Sequence, residues 1–184
     1  MPPDAASELL LDRPGLAEAI ERLGLGLARF VEDPARAAII GIRTRGATLA
    51  KRIERLLTER KGWRLPLGVL DITFYRDDLD QLGPHPVARP TDLDFDVEDR
   101  TIVLVDDVLY TGRTIRSALD LIVDFGRPRS VRLGVLVDRG HRELPIQPDL
   151  TAIKLQVEPG RIVQVCLEED DGREGVWLID RRHD

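Results

Sequence analysis

The chain has 184 residues, and 27 Lys and Arg against 33 Asp and Glu leave a net charge of −6, with 42% hydrophobic and only 4% aromatic side chains. A chain of this length reads as one domain that buries roughly 70% of the surface its unfolded form exposes, so neither disulfides nor a structural metal are needed to hold a core. The balance excludes disordered and fibrous classes, and the acidity argues against wholesale nucleic-acid binding.

Cys166 is the single cysteine, which excludes an intramolecular disulfide and CxxC metal spacing. No apolar stretch approaches the ~20 residues of a membrane span, and Met1-Pro2-Pro3-Asp4 opens without a basic and apolar leader. A cytoplasmic protein with no membrane partner is expected.

After the Pro-rich start, Leu16, Ala19, Ile20, Leu23, Leu27 and Phe30 share one stripe at 3.6 spacing, which predicts a helix over about 14–32. Ala37 to Ile42 is short and wholly apolar, as a strand buried on both faces should be. A second helical pattern follows, with Leu49, Ile53, Leu56 and Leu57 on one side and Gly62 as its stop. Leu67 to Tyr75 predicts a strand, and 76–99, rich in charge and proline, predicts a long loop of the kind that serves as a lid.

Thr101 to Val105 predicts another buried strand, Thr114 to Phe125 a helix, and Val131 to Val137 a strand. Strand and helix in this alternation mean a parallel sheet covered on both faces. The tail differs: Ile162 to Leu167, a turn at Asp170-Asp171-Gly172 and Gly175 to Ile179 predict a hairpin packed on the sheet edge, with Glu168 to Asp171 a solvated turn and Cys166 a small core residue.

Ligands of such sheets bind beyond the carboxyl ends of the strands. There the run Asp106-Asp107-Val108-Leu109-Tyr110-Thr111-Gly112-Arg113-Thr114 delivers two adjacent carboxylates and then opens a helix. A helix start presents N–H groups and a positive dipole end, Gly112 lets the backbone come close, and Thr111 and Thr114 add hydroxyls, which together make a phosphate cradle. The carboxylates suit sugar hydroxyls or a hard cation held through water. A Thr-Gly-x-Thr helix start alone would be only a good N-cap. Its union with the strand and the acidic pair favours a site, and no GxxxxGK[ST] or GxGxxG motif competes.

This window resembles the phosphoribosyl-pyrophosphate (PRPP) signature of type I phosphoribosyltransferases. The resemblance places a diphosphate loop at Gly41-Ile42-Arg43-Thr44-Arg45-Gly46, with Thr44 and Arg45 as phosphate ligands and a cis non-proline peptide expected at Thr44–Arg45. It places a mobile β-rich lid over about 76–99 carrying Arg76, and a nucleobase hood over about 137–160 carrying Val137, Asp138 and Arg139. Asp71 to Leu79, Asp106 to Thr114 and Leu136 to Ile146 together resemble the PyrR family.

The implied fold is the type I phosphoribosyltransferase domain: a mainly parallel sheet flanked by helices, with a small C-terminal hairpin. The implied activity is conversion of uracil and PRPP to UMP and diphosphate, with Mg²⁺ carried by PRPP and Asp106, Asp107 and Arg45 as the catalytic groups. The implied partners are UMP and UTP as effectors, pyrimidine-operon leader mRNA, and a second copy in a homodimer or larger assembly.

Of the family's RNA-facing positions, Arg22, His141 and Arg142 match and Lys154 is a further candidate, whereas Glu21, Leu25 and Gln147 depart from the pattern. Glu21 is expected to repel phosphate on that face. An attenuator that uses the PRPP site only as a nucleotide sensor, and a purine phosphoribosyltransferase, are the competing readings.

Overall fold

A computed structural model describes residues 7–72, 91–158 and 160–180. Strand β1 (Ser7–Leu11) leads into helix α1 (Arg13–Leu27), whose start is capped by the Asp12 carboxylate accepting from the Gly15 N–H at 3.0 Å. α1 is shorter than its apolar stripe predicts because residues 28–30 tighten into a 3₁₀ turn. Strand β2 (Ala37–Ile42) feeds helix α2 (Arg45–Lys61), which Gly62 ends in the left-handed conformation at φ 69°. Strands β3 (Leu67–Leu70), β4 (Thr101–Leu109) and β5 (Ser130–Asp138) follow, with helix α3 (Arg113–Asp124) between the last two.

These strands and β6 (Leu150–Lys154) form one parallel sheet in the order β3-β2-β4-β5-β6. The period of two sorts each buried strand onto two cores. Ala37, Ile39, Val103 and Val105 face α1 and α2, while Ala38, Ile40, Ile102 and Leu104 face α3. β6 lies inside the expected hood segment; its half-buried residues give no strong strand pattern in the sequence.

The tail forms β7 (Arg161–Cys166), a single helical turn α4 (Glu168–Asp171) and β8 (Gly175–Asp180). The expected hairpin of β7 and β8 is present, in a sheet of its own rather than hydrogen-bonded to the main one. β8 pairs antiparallel with β7 on one side and with β1 on the other, so both ends of the chain build a separate three-stranded sheet. Val163, Val165 and Val176 of that sheet join the core beneath α1 and α2, and Cys166 is fully buried.

Of the predicted lid, Asp92 pairs with Val69 through two backbone hydrogen bonds of 2.8 and 2.9 Å, and Leu93, Phe95 and Val97 pack on the α3-side core. Residues 76–90 of it, with Arg76, lie outside the described residues. No helix among the described residues is long and apolar enough to cross a membrane.

Candidate active site

The site is created by a mismatch in strand length. β4 stays paired with β2 only as far as Val105, yet its ladder with β5 continues through Asp106, Val108 and Leu109. The strand therefore runs four residues beyond the predicted end, and Asp106 and Asp107 sit on an overhanging strand rather than in a following loop. Beside the overhang β2 turns away into α2, which opens a crevice.

Close backbone packing holds the two walls together. A Cβ on Gly41 would lie 2.4 Å from the Gly46 carbonyl oxygen and 2.5 Å from the Ala47 Cα; one on Gly46 would lie 2.7 Å from the Val105 carbonyl oxygen and 3.1 Å from Asp106 Oδ1. Only glycine permits this approach. It brings the Arg43-Thr44-Arg45 turn against the carboxylate pair, with Thr44 exposed and Arg45 half-buried. The cis peptide of this turn is Arg43–Thr44, one residue earlier than expected, where the chain leaves β2 at Ile42 and enters α2 at Arg45.

Asp106 is 5% exposed, and its Oδ1 accepts the Asp107 N–H at 3.0 Å. Burial pushes the Asp107 carboxyl above the ordinary carboxylate range, against the opposing pull of the Arg45 charge and of hydrogen bonds including the Val108 amide. Arg43 reaches the buried Asp71 at 3.8 Å, at the neighbouring end of β3.

On the other side of the overhang, Gly112 takes φ 94° and starts α3, while the Thr111 hydroxyl accepts the Arg113 N–H at 3.3 Å. The hood is bonded to this turn. The Thr111 carbonyl accepts the N–H groups of Glu143 and Leu144 at 2.9 and 3.0 Å, and Glu143 pairs with Arg113 at 2.7 Å. The buried Arg139 guanidinium lies 4.0 Å from the centre of the half-exposed Tyr110 ring, a cation–π contact. Asp138 Oδ1 accepts the Gly140 N–H at 3.0 Å, which shapes the bend that carries Arg139 and its neighbours.

The three positions read as RNA-facing are engaged within the chain. Arg142 bridges Asp138 at 2.7 Å and donates to the carbonyls of Tyr110, Gly140 and Ile146, so it ties hood to phosphate turn. His141 is exposed, with Nε2 2.8 Å from the Val157 carbonyl; Arg22, also exposed, donates to the Ala152 carbonyl at 2.9 Å. Glu21 pairs with Arg60 at 2.7 Å, so the repulsion expected of it is locally compensated.

Sequence reasoning missed Asp171. Far from a solvated turn residue, its side chain is 16% exposed and accepts from both Nε and Nη2 of Arg45, at 3.0 and 2.7 Å. Burial would raise its carboxyl, but Arg45 and the Leu167 amide hold it below the ordinary range. The partners are 126 residues apart, and no local signal links them.

This geometry can be set beside known proteins. The Phosphoribosyl transferase domain family matches residues 9–170. The curated "Bifunctional protein PyrR" of Thermus thermophilus is 46% identical over 172 residues, covering 94% of this chain and 95% of that one, and its Roseiflexus counterpart is 48% identical over 171. The chain belongs to the PyrR family.

Solved hypoxanthine phosphoribosyltransferases from Staphylococcus aureus (17% identity, TM-score 0.69, covering 94% of this chain and 92% of that one) and Trypanosoma cruzi (14%, 0.71, 96% and 98%) share its fold. The type I phosphoribosyltransferase architecture expected of a PyrR-family chain is thus the one observed, down to the parallel five-stranded sheet and its helical layers.

Proposed function

We propose that this PyrR-family chain transfers the phosphoribosyl group of PRPP to uracil, giving UMP and diphosphate. One observation carries the reading: the carboxylates of the β4 overhang lie between a backbone-lined basic turn at 43–45 and a helix-opening turn at 110–114, with the 138–146 hood bonded over the latter.

Displacement at the anomeric carbon builds positive charge on the ribose and negative charge on the departing diphosphate, and needs no protein nucleophile. Catalysis then rests on placement and electrostatics. Tyr110 to Thr114, with Val108 and Leu109 leading in, receive the 5′-phosphate on amides and hydroxyls at the start of α3. Asp106 and Asp107 accept from the ribose hydroxyls and stabilise the developing positive charge. Thr44 and Arg45 receive the diphosphate, and Arg45 neutralises its gathering charge.

Val137 to Arg139 present backbone groups and a guanidinium to the pyrimidine edge. Asp106 and Asp107 offer adjacent carboxylate oxygens, a hard donor set that suits a cation arriving on the diphosphate and keeping phosphate and water as most of its ligands. Bound Mg²⁺ would supply charge neutralisation on the diphosphate, with Asp106 and Asp107 as the nearby carboxylates.

The test is UMP formation from uracil, PRPP and Mg²⁺, with hypoxanthine as competitor. Turnover with uracil that hypoxanthine does not suppress supports the proposal; undetectable turnover with intact UMP binding sinks it. The regulatory half of the reading has Arg22, His141, Arg142 and Lys154 meeting a leader-RNA hairpin in response to UMP or UTP. A mobility shift on the organism's pyrimidine leader, with an unrelated hairpin alongside, tests it, and no UMP-dependent shift at low salt rejects it. Sedimentation at micromolar concentration tests the homodimer that belongs to the same reading.

A further inference from the structure

We infer that Asp171, on the turn α4 between β7 and β8, is a positioning residue that orients Arg45 for the diphosphate. The inference rests on the phosphoribosyltransferase reading above.

A long arginine at a helix start has many rotamers, and a guanidinium left free in a half-open crevice would lose entropy each time it met its ligand. Here the choice is made in advance. Asp171 takes Nε and one Nη2 hydrogen in a two-point grip, which among the described residues leaves both Nη1 hydrogens and one on Nη2 for a ligand. The grip is itself fixed, because Asp171 Oδ2 also accepts the Leu167 N–H at 2.9 Å.

α4 is in turn pinned to the helical layer. Arg52 of α2 pairs with Glu169 and Glu174, and Arg13 of α1 with Glu168 and Glu174. Arg45 is thus chelated by a carboxylate that is itself held in place, which fixes the guanidinium and turns its remaining donors away from Asp171.

Three titrations by calorimetry with Mg²⁺–diphosphate test the inference, on wild type, Asp171→Asn and Arg52→Gln. Arg52→Gln loosens α4 while leaving the Asp171 grip in place. Asp171→Asn is expected to weaken diphosphate binding and raise KM for PRPP by about tenfold, the equivalent of ~1.4 kcal/mol, with KM for uracil and affinity for UMP unchanged. Arg52→Gln is expected to stay within about twofold of wild type in diphosphate affinity.

Wild-type diphosphate affinity in Asp171→Asn overturns the inference, as does an equal loss in both variants, which would make the turn merely structural. If Asp171→Asn fails to fold, the Arg45 Nε–H resonance of wild type decides. Retention of its slow exchange on adding diphosphate supports positioning, and its loss shows that the anion displaces Asp171 and overturns it. Diphosphate binding that depends on Asp171 in a wild type inert toward uracil would reject the assigned reaction while keeping this role.

Discussion

Gly46→Ala should damage the site from the backbone outward. The added Cβ would lie 2.7 Å from the Val105 carbonyl oxygen and 3.1 Å from the Asp106 Cα. Ordinary contact needs at least ~3.4 Å, and neither neighbour can rotate away, so α2 must lift from β4 by several tenths of an ångström. Overpacking of this kind costs ~1–3 kcal/mol, partly offset by the ~0.5–1 kcal/mol that alanine gains over glycine in a helix. A net ~1–2 kcal/mol lowers Tm by about 2–8 °C for a chain of this size.

Arg45, the next residue, moves with the helix start, and a misplacement approaching 1 Å costs up to ~100-fold in kcat/KM for PRPP. Gly24→Ala is the control: its Cβ meets only side-chain ends, Leu56 Cδ2 at 2.9 Å and Ile53 Cγ2 at 3.3 Å, far from the crevice. It should cost no more than ~1 kcal/mol, because the end of Leu56 can turn aside, and leave PRPP kinetics unchanged. Differential scanning fluorimetry and initial rates over a PRPP series read both. A Gly46→Ala protein with wild-type Tm and KM for PRPP would refute the packing argument.

Asp107→Asn should remove a buried charge that the fold disfavours. Because the folded carboxyl titrates above its unfolded value, wild-type stability falls as pH rises through that interval, and the variant should lack this fall and melt higher at pH 7 while losing on the order of 100-fold in kcat. A lower Tm at pH 7 would reverse the sign of the argument.

Asp171, Glu169 and Glu174 titrate below their ordinary range, so the stability they contribute is complete above about pH 5 and is lost as pH falls through their folded values. Acid unfolding followed by circular dichroism should be shallower in Asp171→Asn; an identical acid limb counts against it. Arg142→Gln takes the cation from Asp138, 11% exposed, and cuts one tie from hood to phosphate turn and two within the hood, a loss of about 3 kcal/mol in urea unfolding. Less than ~1 kcal/mol would show that the hood holds without it.

The buried strands and amphipathic helices were legible because their patterns are local. Ala37 to Ile42 is apolar throughout, and Ile115, Ala118 and Ile122 repeat at helical spacing. The acidic pair and its Thr-Gly-Arg-Thr turn were legible for the same reason. β1 was hidden, because Ser7 to Leu11 is half-buried and meets its partner only near residue 178. The end of β4 was hidden because Asp106 interrupts the apolar run, although β5 carries the ladder on. From sequence Arg142 reads as RNA-facing, because its carbonyl partners at Tyr110, Gly140 and Ile146 converge on it only in the folded chain. Asp171 carried no signal, since a carboxylate in an acidic run looks solvated until its guanidinium is found 126 residues away.

The small sheet has a consequence in time. Its central strand β8 is the last described element, and β1, made before every other described strand, finds there the neighbour it pairs with in that sheet. Domains fold as the chain emerges, at about 5–20 residues per second, so the five-stranded sheet and the phosphate turn can assemble while α4 and β8 are still inside the ribosome. The partner of Arg45 arrives with residue 171 and the closure of β1 with residues 175–180. A nascent chain stalled before that point would present the phosphate turn and the hood while Arg45 still lacked its grip, and would gain its full hold on diphosphate only once Asp171 had emerged.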